Sequence, residues 1–416
     1  MPDRAQNPTA SSRPPDALDP RPTPEPHGRG LALVMTGGGA RAAYQVGVLR
    51  GILRRFPEAA PSILTGVSAG AINAAYLANC NAPFPEALDR LVALWGRIRT
   101  EHVFDTSGPT AARIAVRWGQ RLLGGGAPAS RRERGFLNVE PLRQLLRDEL
   151  GCGEGPLGGV AENIANQRLD AFALTTTSYT TGQSITWVQG HQAEAWDRPD
   201  RRVVRAEITA DHILASAALP IFFPAVFLRH PRIGDGWYGD GGIRLTAPLS
   251  PALHLGARKI LAINTRYVRT AAEADRPDID AYPPPAQVLG VLMNAIFLDL
   301  LDRDAQVLRR INALLEAMPE GEDGAQARAG FRPVRLLVLR PSRDIARLAS
   351  DYEPTLPPAF RFLMRGLGVG ETRSPDWLSM LLFEPDYLRL LMEIGEADAE
   401  AQADAIAAFL EAEVAA

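Results

Sequence analysis

Ser68 stands between Gly66 and Gly70 in the stretch LTGVSAGAIN, residues 64 to 73. A serine in a G-x-S-x-G pattern serves as a nucleophile when the pattern forms a sharp turn from a strand into a helix. Side chains two residues to either side would collide at such a turn, and the two glycines remove them. The helix that follows aims the partial positive charge of its N-terminus at the reacting centre. Here an apolar run precedes the motif and a helix of small residues follows it, which is the setting the chemistry requires. The competing reading is a tightly packed loop with no chemistry.

Thirty residues upstream, TGGGARAAYQVGVL (36–49) places Gly37, Gly38 and Gly39 after a continuous apolar run. Backbone N–H groups freed in such a loop can hold the oxyanion of a tetrahedral intermediate, a contribution of roughly 3 kcal/mol per donor. The same letters fit a dinucleotide fingerprint. Gly37, Gly39 and Ala42 match G-x-G-x-x-G/A, and Glu58 lies near the distance expected of a ribose-binding acid. Against it, Glu58 follows Pro57 in a loop-like stretch ahead of the next strand. A phosphate-binding P-loop is disfavoured because no G-K-[ST] follows. A Rossmann-type oxidoreductase therefore stands as the alternative at this point.

A serine nucleophile needs a proton acceptor, and histidine is the usual one. The six histidines are His27, His102, His191, His212, His230 and His254. His27 falls in a polar tail, His102 and His191 in irregular solvated segments, His212 and His254 on helices, and His230 in a turn rich in arginine. None has a glycine-framed or strand-end setting. Aspartate offers more. In GDGWYGDGGIRLTAPL (234–249), Asp235 is explained by a hairpin turn before WYG. Asp240 precedes Gly241, Gly242 and an apolar, strand-like segment, which would hold a carboxylate where backbones approach closely. A turn cap is the equal alternative.

The elements that must position these residues follow from periodicity. Residues 31–36 read as a buried parallel strand. Residues 40–56 carry Ala43, Val46, Leu49, Ile52 and Leu53 at helical spacing. A strand at 62–65 leads into the serine turn and a helix at 69–80 leaves it. Two strand–glycine turn–helix units within fifty residues imply an α/β sandwich with a mainly parallel sheet. A helix is expected over 138–150 with Asn138 as its cap, and a strand–turn–strand over 170–188. Further strands are expected at 259–264 and 333–342. A loop is expected at 122–135 and another at 319–330. Residues 269–286 read as a linker, followed by one long amphipathic helix over 288–318 and a helical end.

With 46% hydrophobic and 22% charged residues in 416, the chain has an ordinary globular composition. Its formal net charge of −3 gives no pull toward nucleic acid. Lys259 is the sole lysine among 45 basic residues, a bias best read as genomic. Cys80 and Cys152 make neither a disulfide framework nor a metal spacing, and no metal or cofactor is implied. Residues 1–29 contain eight prolines and are expected to be disordered. The sequence shows no signal peptide and no span of membrane length. The expectation is a cytoplasmic protein, with peripheral membrane contact allowed.

Taken in order, GGGARA, GVSAG and DGG resemble the patatin-like phospholipases. So do ILASAALPIFFPAV (213–226) and APLSPALHLGARKILAINT (247–265) on either side of the Asp-Gly-Gly. MLLFEPDYLRLLMEIGEADA (380–399) is similar to the C-terminal extension of bacterial members. The resemblance implies a three-layer α/β/α sandwich, with an acyl hydrolase domain over 30–268 and a mainly helical extension over 287–416 packed on it. It implies a Ser-Asp dyad without histidine, with Ser68 as nucleophile, Asp240 as general base, and Gly37, Gly38 and Gly39 as oxyanion donors. Gly66, Gly70, Gly241 and Gly242 support the motifs. Arg41 matches a basic residue of the glycine motif, either steadying the loop or meeting an anionic head group. Two departures are Ala42, where glycine is frequent, and Thr246 ahead of Pro248, where an asparagine is common nearby. The implied substrate is a lipid or acyl ester, and the need for an activating protein is left open. An aspartate of ordinary pKa, ~3.9, is a weak base, so its site should be partly desolvated. An inert lipid-binding module of the same fold is the other alternative.

Overall fold

The computed structural model describes residues 30–107, 135, 137–190, 196–275, 282–297, 299–318, 331–366 and 376–412. The N-terminal tail, and the loops expected at 122–134 and 319–330, lie outside the described residues. Among the described residues, nine strands form one sheet: β1 (Leu31–Met35), β2 (Ile63–Val67), β3 (Ala171–Ser178), β4 (Ser184–Gly190), β5 (Arg201–Arg205), β6 (Val226–Leu228), β7 (Gly236–Asp240), β8 (Lys259–Ile263) and β9 (Arg335–Leu339). Their order is β5-β4-β3-β2-β1-β8-β9, with β7 paired to both β3 and β6. The pairs β1–β2, β1–β8, β2–β3, β4–β5 and β8–β9 are parallel. Those of β3 with β4, β3 with β7 and β6 with β7 are antiparallel.

Ten of the helices matter below: α1 (Ala43–Arg55), α2 (Ala69–Asn79), α3 (Phe84–Arg97), α4 (Glu140–Leu150), α5 (Ala210–Ser216), α6 (Ser250–His254), α7 (Pro285–Phe297), α8 (Leu300–Glu316), α9 (Asp376–Leu381) and α10 (Pro385–Ala401). Alternate residues of β1 face opposite layers, as the period of a strand dictates. Leu31, Leu33 and Met35 belong to a large core that includes residues of α1, α2 and α10. Ala32 and Val34 belong to a second core with Leu249, Ala252, Leu301, Ala305 and Leu308, the contribution of α6, α8 and their approach. The result is a mainly parallel α/β sandwich with helices on both faces, and its last strand comes from the C-terminal part of the chain.

Three expectations need correcting. The long helix expected over 288–318 is two helices, α7 and α8, separated near Asp299. Met293 and Phe297 of α7 are buried with the first core, whereas Leu301, Ala305 and Leu308 of α8 serve the second. A straight helix of that length would span about 45 Å and could not turn to both. The strand-like segment after Asp240 is instead a 3-10 turn, Gly241–Ile243, followed by bends. The N-cap of α4 is Val139 and not Asn138, although Asn138 Oδ1 accepts from the Glu140 amide at 3.1 Å.

Sheet register brings the two distant motifs together. β2 ends at Val67, which pairs with Thr175 of β3. The next residue of β3, Thr176, pairs with Asp240. The other edge of β3 is occupied by β4 through Thr177. β7 therefore takes up the edge that β2 vacates, and the last residue of β7 lies beside the turn that follows Val67.

Candidate active site

Ser68 occupies the turn between β2 and α2 with φ 56° and ψ −133°. A non-glycine residue at positive φ is strained, and such strain persists only where the surroundings enforce it. Packing enforces it here. A side chain at Gly66 would come within 2.5 Å of the Gly70 carbonyl oxygen, and one at Gly70 would overlap the Met35 carbonyl. The turn is also held from below: the Ser68 amide donates to Ser216 Oγ at 3.1 Å, and that hydroxyl donates to the Thr175 carbonyl at 2.7 Å.

Asp240 is fully buried at the end of β7. Its amide donates to the Ala218 carbonyl at 3.0 Å, and its own carbonyl accepts from Thr177 Oγ1 at 2.8 Å. Oδ1 accepts from the Gly242 amide at 2.9 Å. Burial pushes the carboxyl up to about 7, with the Ser68 hydroxyl and the Gly242 amide pulling the other way. Oδ2 nonetheless meets no donor in strict hydrogen-bond geometry among the described residues. The Ser68 hydroxyl thus acts on the carboxyl without a closed hydrogen bond to Oδ2. The desolvation anticipated for this carboxylate is present in full.

The glycine loop lies against the serine. A Cβ at Gly37 would fall 2.8 Å from Ser68 Cβ, so no larger residue fits there. The Gly37 carbonyl is turned away by accepting from Thr265 Oγ1 at 2.8 Å. Gly38 has φ 148° and Gly39 φ 58°, and Gly39 opens a 3-10 turn through Ala42. The first amides of such a turn lack partners within it. Buried amides fix this turn to α2: Asn73 donates to the Ala42 carbonyl and to Gln45 Oε1, both at 3.1 Å, and accepts from Trp95 Nε1 at 2.7 Å.

Gly38, Gly39 and Ser68 open on one cavity of about 60 Å³ whose other walls are almost entirely apolar. Ile72, Leu94, Trp95, Leu142, Leu146 and Phe223 line it from α2, α3, α4 and the turn after α5. Phe297, Met380, Leu381 and Phe383 line it from the C-terminal part of the chain. Among the described residues, Glu149 is the one charged side chain in the wall, and it pairs with Arg97.

No described histidine bonds to Ser68 or Asp240. His212 is buried on α5, with Nδ1 at 2.9 Å from Thr209 Oγ1 and its ring edge-on to Trp187. Burial, then the nearby His230, lowers it to about 4. His254 stacks on Trp196, and burial followed by Arg201 and Arg198 also lowers it to about 4. His102 accepts from the Arg99 amide, and His230 lies half-buried beside the Arg205 carbonyl and the Trp187 ring. His27 and His191 lie outside the described residues. Glu58 lies in an exposed turn before β2, not at a strand end. Arg41 is buried and engaged by Asp376 and Ser379.

Sequence reasoning missed Ser216, Thr177 and Thr265, the hydroxyls that brace the three motifs. Ser216 offered a signal, being a hydroxyl inside the apolar run ILASAALP. The contribution of Met380, Leu381 and Phe383 to the cavity had no local signal.

The family model described as "Patatin-like phospholipase" matches residues 33–253. No curated protein sequence matches the chain. Among solved structures, VipD from Legionella pneumophila is 16% identical over 77% of this chain and 62% of its own, with a TM-score of 0.30. Human GIVD cytosolic phospholipase A2, in complex with methyl gamma-linolenyl fluorophosphonate, is 15% identical over 91% of this chain and 58% of its own, with a TM-score of 0.45. ExoU of the Pseudomonas aeruginosa type III secretion system, in complex with SpcU, is 19% identical over 87% and 70%, with a TM-score of 0.26. The chain spans about three fifths of the length of the first two. Likenesses at this level leave function to the site itself. The family match is of another order: it covers more than half of the 416 residues and includes all three motifs, and the chain belongs to the patatin-like phospholipase family.

Proposed function

We propose that the protein is a lipid acyl hydrolase that cleaves carboxylic esters through an acyl-enzyme, with Ser68 as nucleophile and Asp240 as general base. The observation that carries this reading is the pairing of a strained, glycine-framed serine with a fully buried carboxyl that burial lifts to about 7. An aspartate so raised is matched to proton transfer near neutrality, without help from histidine.

The chemistry follows in two halves. Asp240 Oδ2 takes the hydroxyl proton as Ser68 Oγ bonds to the ester carbonyl carbon. The carbonyl oxygen becomes an oxyanion, held by amides of the loop Gly37–Gly38–Gly39. Collapse breaks the ester C–O bond, and the departing alkoxide receives the proton from Asp240. Water then attacks the acyl-enzyme, giving its proton to Asp240, and Ser68 leaves with that proton while the carboxylic acid is released. The acyl chain lies in the apolar cavity and excludes water from the reacting atoms.

We read residues 30–268 as the hydrolase domain and 287–416 as an extension that completes its cavity. Membership of a phospholipase family supports a lipid substrate met at a peripheral membrane surface. Among the described residues, no helix is long and apolar enough to cross a membrane. The test is hydrolysis of a p-nitrophenyl ester together with fluorophosphonate labelling read by mass spectrometry. Turnover and labelling at Ser68, both lost in Ser68→Ala, are expected. Turnover that survives in Ser68→Ala, or a folded wild type that takes no label, contradicts the proposal.

A further inference from the structure

We propose that Asp376 is a positioning residue for this reaction, holding the glycine loop through Arg41 and the Asp240 turn through Asn294. The proposal rests on the acyl-hydrolase reading above. Arg41 lies in the turn Gly39–Ala42 and is only 2% exposed. Its Nε donates to Ser379 Oγ at 2.6 Å, and Nη2 donates to Asp376 Oδ1 at 2.6 Å and to the Asp376 carbonyl at 2.9 Å. Ser379 Oγ donates back to that carbonyl at 2.7 Å. The second carboxylate oxygen, Oδ2, accepts from Asn294 Nδ2 on α7 at 2.6 Å. One carboxylate thus ties together the glycine loop, α9 and α7.

Each tie ends beside the reacting atoms. Arg41 is two residues beyond Gly39, and α9 presses on that loop so closely that a Cβ at Gly39 would overlap the Met380 carbonyl. Asn294 is one helical turn before Phe297, whose ring fills the space a Cβ at Gly242 would need. The Gly242 amide is the donor to Asp240 Oδ1. Arg41 is therefore committed within the fold and is not offered to an anionic head group. A charge-assisted pair at this depth holds geometry firmly, and losing one partner leaves the other buried and uncompensated. α9 lies beyond residues 33–253, so this restraint comes from outside the family match.

The test is Asp376→Asn, which keeps the shape, removes the charge and sets an amide against the Asn294 amide. Measured on p-nitrophenyl esters, kcat is expected to fall by about tenfold to a hundredfold with KM within about threefold, as for a disturbed oxyanion site. Affinity for a trifluoromethyl ketone, which forms a tetrahedral adduct with the serine, is expected to fall in parallel. Should that variant not fold, Asn294→Ala and Ser379→Ala each cut one tie, with a smaller parallel loss of about fivefold expected. A folded variant with kcat unchanged, or with loss confined to KM, overturns the proposal. So does a fall in kcat with ketone affinity intact. An active, Ser68-labelled wild type separates that failure from failure of the hydrolase reading; a wild type that neither turns over nor labels overturns both.

Discussion

At the scale of single residues, the proposed reaction depends on a carboxyl stripped of water. Asp240 holds its proton more tightly in the folded protein than in the unfolded chain, where its pKa is near 3.8. The stability it contributes is therefore complete below about pH 4 and is lost as pH rises through about 7. Asp240→Asn keeps an acceptor for the Gly242 amide and carries no charge. Its stability in urea should match the wild type near pH 4 and exceed it by up to about 4 kcal/mol at pH 8, while turnover is abolished. Ser216 is the second residue with a clear expectation. Ser216→Ala removes the acceptor of the Ser68 amide and the donor to Thr175, both buried. A cost of about 1–3 kcal/mol is expected in denaturant, with kcat reduced as the serine turn loosens.

At the scale of elements, the cavity between α2, α3, α4 and α9 sets what can be bound. At about 60 Å³ it is a slot, and on the acyl-hydrolase proposal longer acyl chains would enter by displacing adaptable walls such as Met380. Leu146→Trp in α4 fills it from one side. Activity on decanoyl esters should drop by at least about tenfold while acetyl esters change little, since each methylene refused costs about 1–3 kcal/mol. Equal losses on both chain lengths would remove α4 from the acyl wall. Elements of this kind were legible in the sequence wherever periodicity was local. The strands expected at 31–36, 62–65, 259–264 and 333–342 and the strand–turn–strand at 170–188 all form, and runs such as LALVM and KILAI are buried on both faces. The helix expected over 288–318 failed for a tertiary reason. Its two halves serve different cores, and amphipathic period alone does not record a change of partner.

At the scale of the whole molecule, the C-terminal part is built into the sheet and the core. β9 extends the sheet from β8, and α10 crosses α1 where glycines let backbones touch. A side chain at Gly47 would overlap the Met392 carbonyl, and one at Gly395 the Tyr44 carbonyl. Tyr44 seals the crossing by donating to Asp398 Oδ2 at 3.0 Å. Residues 30–268 expressed alone should therefore be insoluble or lack a cooperative thermal transition; a soluble, active fragment would show the extension to be dispensable. The resemblance led to the expectation that the extension packs on the core, but the residues that join the two were not legible. Gly47 and Gly395 lie some 350 positions apart, and each reads locally as an ordinary helical glycine. The pairing of Asp240 with Ser68 was implied by the resemblance alone; no local pattern shows it, because it depends on β7 taking the edge of β3 that β2 leaves after Val67.

The most direct test of the central claim is the pH dependence of kcat/KM for ester hydrolysis at several temperatures, in wild type and in His102, His191, His212, His230 and His254 variants. A Ser68–Asp240 dyad gives one limb, rising with pH through about 7, retained in every folded histidine variant and nearly independent of temperature, as a carboxyl ionisation is. A limb near 7 alone would not separate aspartate from imidazole, whose unperturbed pKa is ~6.5. A limb that moves with temperature as an imidazole does, and vanishes in one folded histidine variant, would contradict the Ser68–Asp240 dyad.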